Sequence, residues 1–257
     1  MLALLLVGAF VWARLPQNKP PPPACSVIAF EGDAFTVCEA NLDDVELRLV
    51  LDDAAGVKLR SFSKLQSALG DRARRVVFAM NAGMYDESGR PIGLYVEAGR
   101  ERRPLNRRPG PGNFHMMPNG VFFVDRDGAA HIETSTSYAD RIDDGAWWAT
   151  QSGPMLVIDG KLHPRFQSDG ASRFVRNGVG LRDGKNVLFA ISETPVSFGK
   201  FARFFRDALG CQNALYMDGS VSGLWAPHLG RQDGGPPLGP MFVVLRKRDL
   251  PADSGKD

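Results

Sequence analysis

The chain has 257 residues, 44% of them apolar, and 31 basic against 29 acidic side chains for a net charge of +2. That is ample material for a globular core. It excludes the strong basic excess of a duplex-binding domain, so no nucleic-acid partner is expected.

The chain opens on an apolar run, Leu2 to Ala13, "LALLLVGAFVWA". As a helix it reaches roughly 18 Å, short of a ~30 Å hydrocarbon core. The length suits a secretory signal, with Val11-Trp12-Ala13 as a small-residue cleavage site, and the lack of a preceding basic residue points to a start upstream of Met1. "KPPPP", Lys19 to Pro23, follows as a stiff spacer. Residues 1–24 are therefore expected to be a signal or anchor segment with its spacer, 25–248 one domain, and 249–257 a tail. The expected location is periplasmic or secreted, with membrane tethering through the N-terminal segment left open. Nothing in the sequence sets the oligomeric state.

Cys25 and Cys38 bracket "SVIAFEGDAFTV", two alternating runs around Glu31-Gly32-Asp33. Opposed positions of such a hairpin can form a disulfide in an oxidising compartment; the alternative is two free thiols in the cytosol. Cys211 is left over and is expected to be buried and inert.

β-Branched and aromatic clusters between turn residues predict strands at 26–30, 34–39, 45–51, 76–81, 92–97, 120–125, 129–134, 154–158, 174–181, 186–192, 213–218 and 241–246. Asp127-Gly128, Asp159-Gly160 and Asp183-Gly184 lie between such runs and predict tight hairpins in which glycine takes a positive φ. Two helices are expected. In "SFSKLQSALG", Ser61 caps, Phe62, Leu65 and Leu69 share a face, and Gly70 terminates. In "SFGKFARFFRDALG", Ser197 caps, Phe198, Phe201, Phe205 and Leu209 make the stripe, and Gly210 terminates. The fold class is thus α+β, a single domain with a mixed, largely antiparallel β-sheet and a few packed helices. Residues 99–112, "GRERRPLNRRPGPG", put five arginines in a Gly/Pro-bounded loop, read either as a solvated loop or as a cationic surface for a phosphorylated or acidic glycan.

Asp218-Gly219 differs from the hairpin pairs. It ends an apolar run and leads into Ser220, Val221, Ser222 and Gly223 instead of a second strand. A carboxylate at a strand end before a small-residue loop is a common way to build a site. Asn81-Ala82-Gly83, Ser152-Gly153-Pro154 and Arg176-Asn177-Gly178 also interrupt strand-like runs with small or polar residues, and glycine within a strand marks close backbone approach.

These stretches, Asn81 to Met84, Ser152-Gly153-Pro154 with Leu156 and Asp159-Gly160, Arg176 to Gly180, and Ala214 to Gly219, resemble in order the motifs of the phosphodiester glycosidase family. That family includes the domain of the lysosomal uncovering enzyme, which removes N-acetylglucosamine from a phosphodiester on mannose, and bacterial proteins of exopolysaccharide metabolism. The likeness covers about residues 75–245. Three positions depart from the family pattern: Ser220 replaces a second glycine, Asn177-Gly178 replaces Thr-Ala, and Glu193 stands where an Asp is usual.

The resemblance implies hydrolysis of a sugar-1-phosphodiester, with a phosphorylated or acidic glycan as partner. Phosphate leaves as a stabilised anion, so one carboxylate and one phosphate-binding arginine could suffice where ordinary glycoside hydrolysis needs two carboxylates. Asp218 is the expected base or nucleophile, Glu193 its partner, and Arg176 the phosphate ligand, with Arg173 as second candidate. Asn81, Ser152, Asn177 and Ser220 are expected to bind substrate. Gly83, Gly153 and Gly219 clear space, and His115 in "GNFHMMPNG" adds a polar contact. Each has a structural alternative: Arg176 and Asp218 as a buried ion pair, Glu193 as a charge before a helix, Asn81 as a turn residue. The histidines His115, His131, His163 and His228 lack zinc spacing, so no metal and no cofactor are expected, with a divalent cation on carboxylates left open. The competing reading is a glycan- or cell-wall-binding module that keeps the pocket without turnover.

Overall fold

The structure, a computed structural model, describes residues 24–141 and 145–247. The expected signal segment and tail therefore lie outside the described residues, apart from Ala24.

Every strand pairing among the described residues is antiparallel, and the strands fall into three sheets instead of one. In chain order they are β1 (Cys25–Phe30), β2 (Asp33–Asn41), β3 (Val45–Val50), β4 (Val76–Asn81), β5 (Tyr95–Glu97), β6 (Arg100–Arg103), β7 (Gly120–Val124), β8 (Ala130–Thr134) and β9 (Trp148–Ser152). They continue with β10 (Met155–Ile158), β11 (Lys161–Leu162), β12 (Asn177–Leu181), β13 (Asn186–Ser192), β14 (Asn213–Asp218), β15 (Leu224–Ala226), β16 (Arg231–Gln232) and β17 (Met241–Arg246). The sheet orders are β1-β2-β13-β12-β14-β10-β11, β16-β15-β4-β17-β3 and β6-β5-β9-β7-β8. With helices α1 (Phe62–Leu69), α2 (Ser135–Ala139) and α3 (Phe198–Arg203), the class is α+β.

The sheets meet over aromatic rings. Phe189 of β13 lies 5.0 Å from Phe242 of β17 and 5.1 Å from Phe78 of β4, and Phe122 of β7 lies 5.3 Å from Phe242. Four rings drawn from all three sheets, at tilted geometry, fill the centre without a parallel stack. β4, β7 and β12 are buried at every position, which explains the apolar runs read at β4 and β7.

Both expected helices form. Ser61 accepts from Lys64 N and Ser197 from Lys200 N, and Gly70 and Gly210 take φ of +54° and +68° at the ends. The second helix widens over Phe204–Ala208 into a π turn, so Phe204 and Phe205 are both fully buried and Phe204 stacks on Phe35 at 4.0 Å.

Cys25 and Cys38 oppose each other across β1 and β2 and are disulfide-bonded, and Cys211 is free and buried. Gly128 and Gly160 take φ of +84° and +73° as the hairpins require. Gly184 does not, because Asp183 Oδ1 caps the N–H groups of Lys185 and Asn186 and shapes that turn by its side chain. The strand expected over 174–181 starts only at Asn177. Before it Arg176 turns inward, and Phe174 makes an isolated bridge to Val196. Within the arginine loop, residues 100–103 form β6, where Arg102 pairs with Asp52 and Glu97.

β9 escaped the sequence reading because "WATQS" is polar, yet Thr150, Gln151 and Ser152 are all buried. Their side chains satisfy backbone groups instead. Thr150 Oγ1 donates to Ala82 O at 2.6 Å, Gln151 Oε1 accepts from Leu94 N and Asn106 N, and Ser152 Oγ donates to Met217 O at 3.0 Å.

Candidate active site

Asn81 ends β4, Ser152 ends β9, Asp218 ends β14, and Asn177, paired with Asp218, begins β12. The antiparallel register thus gathers these residues at one end of the molecule. A register shift between Asn177 and Gly178 lets the chain leave the sheet beside Asp218.

Asp218 organises the loop that follows it. Its Oδ1 accepts from Gly219 N at 2.6 Å, Ser220 N at 2.8 Å and Val221 N at 3.3 Å. Its Oδ2 has no hydrogen-bond partner among the described residues. Burial raises the carboxyl above the ordinary aspartate range, and the three N–H groups work against that shift.

Asn81 and Asn177 lie beside it but are fully buried. Asn81 Nδ2 donates to Asn177 Oδ1 at 3.1 Å, Asn177 Nδ2 to Asn81 O at 3.0 Å, and Gly223 N to Asn81 Oδ1 at 3.0 Å. The pair joins two sheets and anchors the far end of the Asp218 loop. Ser222 Oγ completes the cluster, within 3.0 Å of Val175 O and Asp218 O. Asn81 and Asn177 therefore hold the site and do not project into it, because their polar groups are consumed by the protein. Gly219 is half-buried and Ser220 exposed, at the open side.

Arg176 is the largest departure from expectation. It is 0% exposed and forms no ion pair with Asp218. Its Nε donates to Val196 O, Nη1 to the Tyr216 hydroxyl at 3.0 Å, and Nη2 to Ser172 O and Oγ. The guanidinium sits 3.6 Å from the Phe198 ring centroid and within 5.5 Å of those of Phe174 and Tyr216. Burial lowers its pKa, partly offset by Tyr216. The sealed guanidinium is taken up entirely by protein partners, and it reaches the Asp218 loop through Tyr216, whose hydroxyl packs behind Gly219.

Glu193 and Arg173 are likewise held by protein partners. Exposed Glu193 accepts from Thr36 Oγ1 at 2.5 Å and Arg231 Nη1 at 2.7 Å, and Arg231 in turn pairs with Asp233. No interaction links it to Asp218. Arg173 pairs with Asp169 at 2.6 Å on the surface. His115 Nδ1 lies 2.9 Å from Arg108 O and its ring packs under Gly110, so it braces the arginine loop. Gly83, at φ +119°, approaches Thr150 Oγ1 so closely that a Cβ would lie 2.9 Å away, and Gly153 leaves no room beside Asn119 and Phe114 O. Both permit strand packing near the site.

The structure adds residues that no motif flagged. Ser220 to Gly223 line a small cleft with Arg60, Ser61, Phe62 and Asp233 to Pro236. Arg60 lies over the Tyr85 ring at 5.4 Å, and its guanidinium has no ion-pair partner among the described residues. Tyr85 donates to Pro237 O at 2.6 Å, and its pKa is raised first by burial and then by the Asp218 charge. Only the "LYMDG" spacing could have drawn attention to Tyr216, and nothing local to Arg60 or Tyr85 distinguishes them. Among the described residues no group of three or more His, Cys, Asp or Glu side chains is arranged to share a metal ion.

Comparison with known proteins gives the family and the fold. The phosphodiester glycosidase family matches residues 74–236. A relative, Uncharacterized protein YigE of Escherichia coli (strain K12), is 38% identical over 151 residues, 59% of this chain and 58% of that protein. The chain thus covers less than two thirds of that relative's length. Among solved structures, the zebrafish N-acetylglucosamine-1-phosphodiester alpha-N-acetylglucosaminidase catalytic domain, auto-inhibited by its pro-peptide, aligns with a TM-score of 0.56 at 13% identity, over 87% of this chain and 82% of that one. A hypothetical protein from Synechocystis aligns at 0.54 and 15% identity, over 87% and 61%. At such identities these two share the fold. The family match covers more than half of the chain and spans the whole Asn81–Asn177–Asp218 cluster, and the chain belongs to the phosphodiester glycosidase family.

Proposed function

We propose that this chain is an exported hydrolase that cleaves a glycosyl phosphodiester of a glycan or cell-envelope polymer. The observation that carries the reading is Asp218: a family-motif carboxylate, raised in pKa by burial, with one oxygen fixed by three backbone N–H groups and the other free. A carboxylate so held can activate water or stabilise positive charge at the anomeric carbon, while the departing phosphate needs no strong acid. Arg60, the unpaired cation on the cleft lined by the Asp218 loop, is the phosphate ligand in this reading. Ser220 and the Gly219 backbone contact the sugar or phosphate. Export is supported by the apolar leader-like run and by the Cys25–Cys38 disulfide, a bond typical of oxidising compartments. No helix among the described residues is long and apolar enough to cross a membrane.

The test is release of free sugar from a sugar-1-phosphodiester by the purified protein. The expected result is faster release than from a simple glycoside of the same sugar, slowed by about 10²–10⁴-fold in Asp218→Asn. Binding of the diester without cleavage would favour the non-catalytic glycan-binding module instead.

A further inference from the structure

The end of the molecule opposite Asp218 carries a second cleft, of about 400 Å³, within the usual range of about 300–1,000 Å³ for small-molecule sites. Its place follows from the strand register. β9 runs from Trp148, paired with Val124, to Ser152, paired with Gly120, and β17 runs from Met241, paired with Asn81, to Arg246, paired with Val45. Trp148, Val124, Val45 and Lys247 line the cleft, whereas Ser152 and Asn81 belong to the Asp218 end. Four residue steps along β9 separate the two by about 13 Å.

The walls have a defined chemistry. Trp147, 40% exposed, and Trp148 meet at 78° with ring centroids 6.4 Å apart, so two indoles form a corner of the cleft. Trp147 is held in place. Arg126 lies over its ring at 5.6 Å, and Gly99, at φ +74°, packs so close that a Cβ there would lie 3.0 Å from the indole. The charged lining residues already have protein partners. Glu46 pairs with Arg48, Asp125 accepts from Asp127 N and Ala129 N and pairs with His131, and Lys247 donates to Leu42 O and Asp43 O. The cleft therefore presents an aromatic corner beside two acidic and two basic side chains whose charges balance.

We propose that this cleft binds a neutral pyranose unit of a glycan. The apolar C–H face of a pyranose carries partial positive charge and matches the negative face of an indole, and a cleft whose charged groups already have protein partners suits a ligand without charge. Charge balance disfavours a strongly anionic ligand. A second contact on the same chain would hold a polymer while the Asp218 end works on another part of it, by raising the effective local concentration. The cleft stands on its own residues and does not depend on the hydrolase reading.

The experiment is saturation-transfer NMR on the full chain. The probes are neutral oligosaccharides, the tetramers of glucose and of N-acetylglucosamine, with tetragalacturonate as anionic counterpart. Transfer to ring C–H protons of at least one neutral tetramer is expected, about tenfold weaker binding in Trp147→Ala, and intermediate binding in Trp147→Phe, which keeps a ring and guards against misfolding. Asp218→Asn should bind as wild type does, which separates this cleft from the Asp218 site. Equal binding in wild type and both Trp147 variants, no transfer from any neutral tetramer, or transfer from tetragalacturonate alone would overturn the proposal.

Discussion

The Tyr216 hydroxyl accepts from Arg176 Nη1 at 3.0 Å and fills the space that a side chain at Gly219 would need: a Cβ there would lie 2.0 Å from that oxygen. The buried cation and the glycine after Asp218 are thus coupled through one phenol. Gly219 is required because Tyr216 stands behind it, and Tyr216 stands there because Arg176 needs an acceptor. Gly219→Ala should destabilise the protein by about 1–3 kcal/mol through overpacking. Tyr216→Phe should cost a similar amount, because it leaves a buried N–H unmet. In the double variant the clash is gone, so the combined loss should fall well short of the sum. Denaturant unfolding of the four proteins measures this cycle, and strict additivity would break the coupling.

Asp218 makes the pH dependence specific. Its pKa is raised in the folded state, so the stability it contributes is present below the ordinary aspartate value of 3.8 and lost as pH rises through the folded value. Wild-type stability should therefore drop across that window, and Asp218→Asn should flatten the drop. In the proposed reaction Asp218 acts in its ionised form, so the acidic limb of the rate profile should lie above that of an ordinary carboxylate. The same variant should lower turnover by about 10²–10⁴-fold while leaving binding nearly intact.

Arg60 gives a sharper test of phosphate recognition than Arg176. Removing a charge-assisted contact costs about 1.5–3 kcal/mol, roughly tenfold or more in affinity. Arg60→Ala should therefore raise KM for a phosphodiester by at least about tenfold and weaken inhibition by inorganic phosphate in parallel. The thermal midpoint should change little, because the side chain is half-buried and unpaired. Arg176→Ala should do the reverse and lose stability first, since it empties a sealed site lined by Phe198 and Tyr216.

Sequence was a good guide where pattern and burial coincide. β4, β7, β13, β14 and β17 are apolar runs of the expected length, and the Ser61 and Ser197 caps sit where expected. It failed where polar residues are buried for the sake of backbone partners. "WATQS" carries no strand pattern, because Thr150, Gln151 and Ser152 are defined by contacts with residues far away in the chain. The site followed the same division. Asp218 and Asn81 were recognisable at strand ends and Asn177 as a polar break within a strand, but only three dimensions tell a buried brace from an exposed ligand. An arginine in a motif reads identically whether it faces phosphate, as expected of Arg176, or three aromatic rings, as found. Arg60, at φ +60° in a loop far from every motif, left no trace in the chain around it.

The disulfide supplies the remaining prediction. Cys25 and Cys38 tie the edge strand β1 to β2, which pairs with β13, the strand that carries Phe189 into the central ring cluster. Closing a loop with 13 residues' separation restricts the unfolded chain and contributes about 3 kcal/mol. Dithiothreitol should lower the wild-type unfolding free energy by that much, and a Cys25→Ser/Cys38→Ser variant should start at the lowered value and not respond. Since Cys211 is buried and its thiol is pushed up to about 12, it should neither react nor exchange in the folded protein. Thiol alkylation of the native, unreduced protein should then label no cysteine. Label at Cys25 or Cys38 would mean an open hairpin, and label at Cys211 would mean that the helix over it lifts from the sheet.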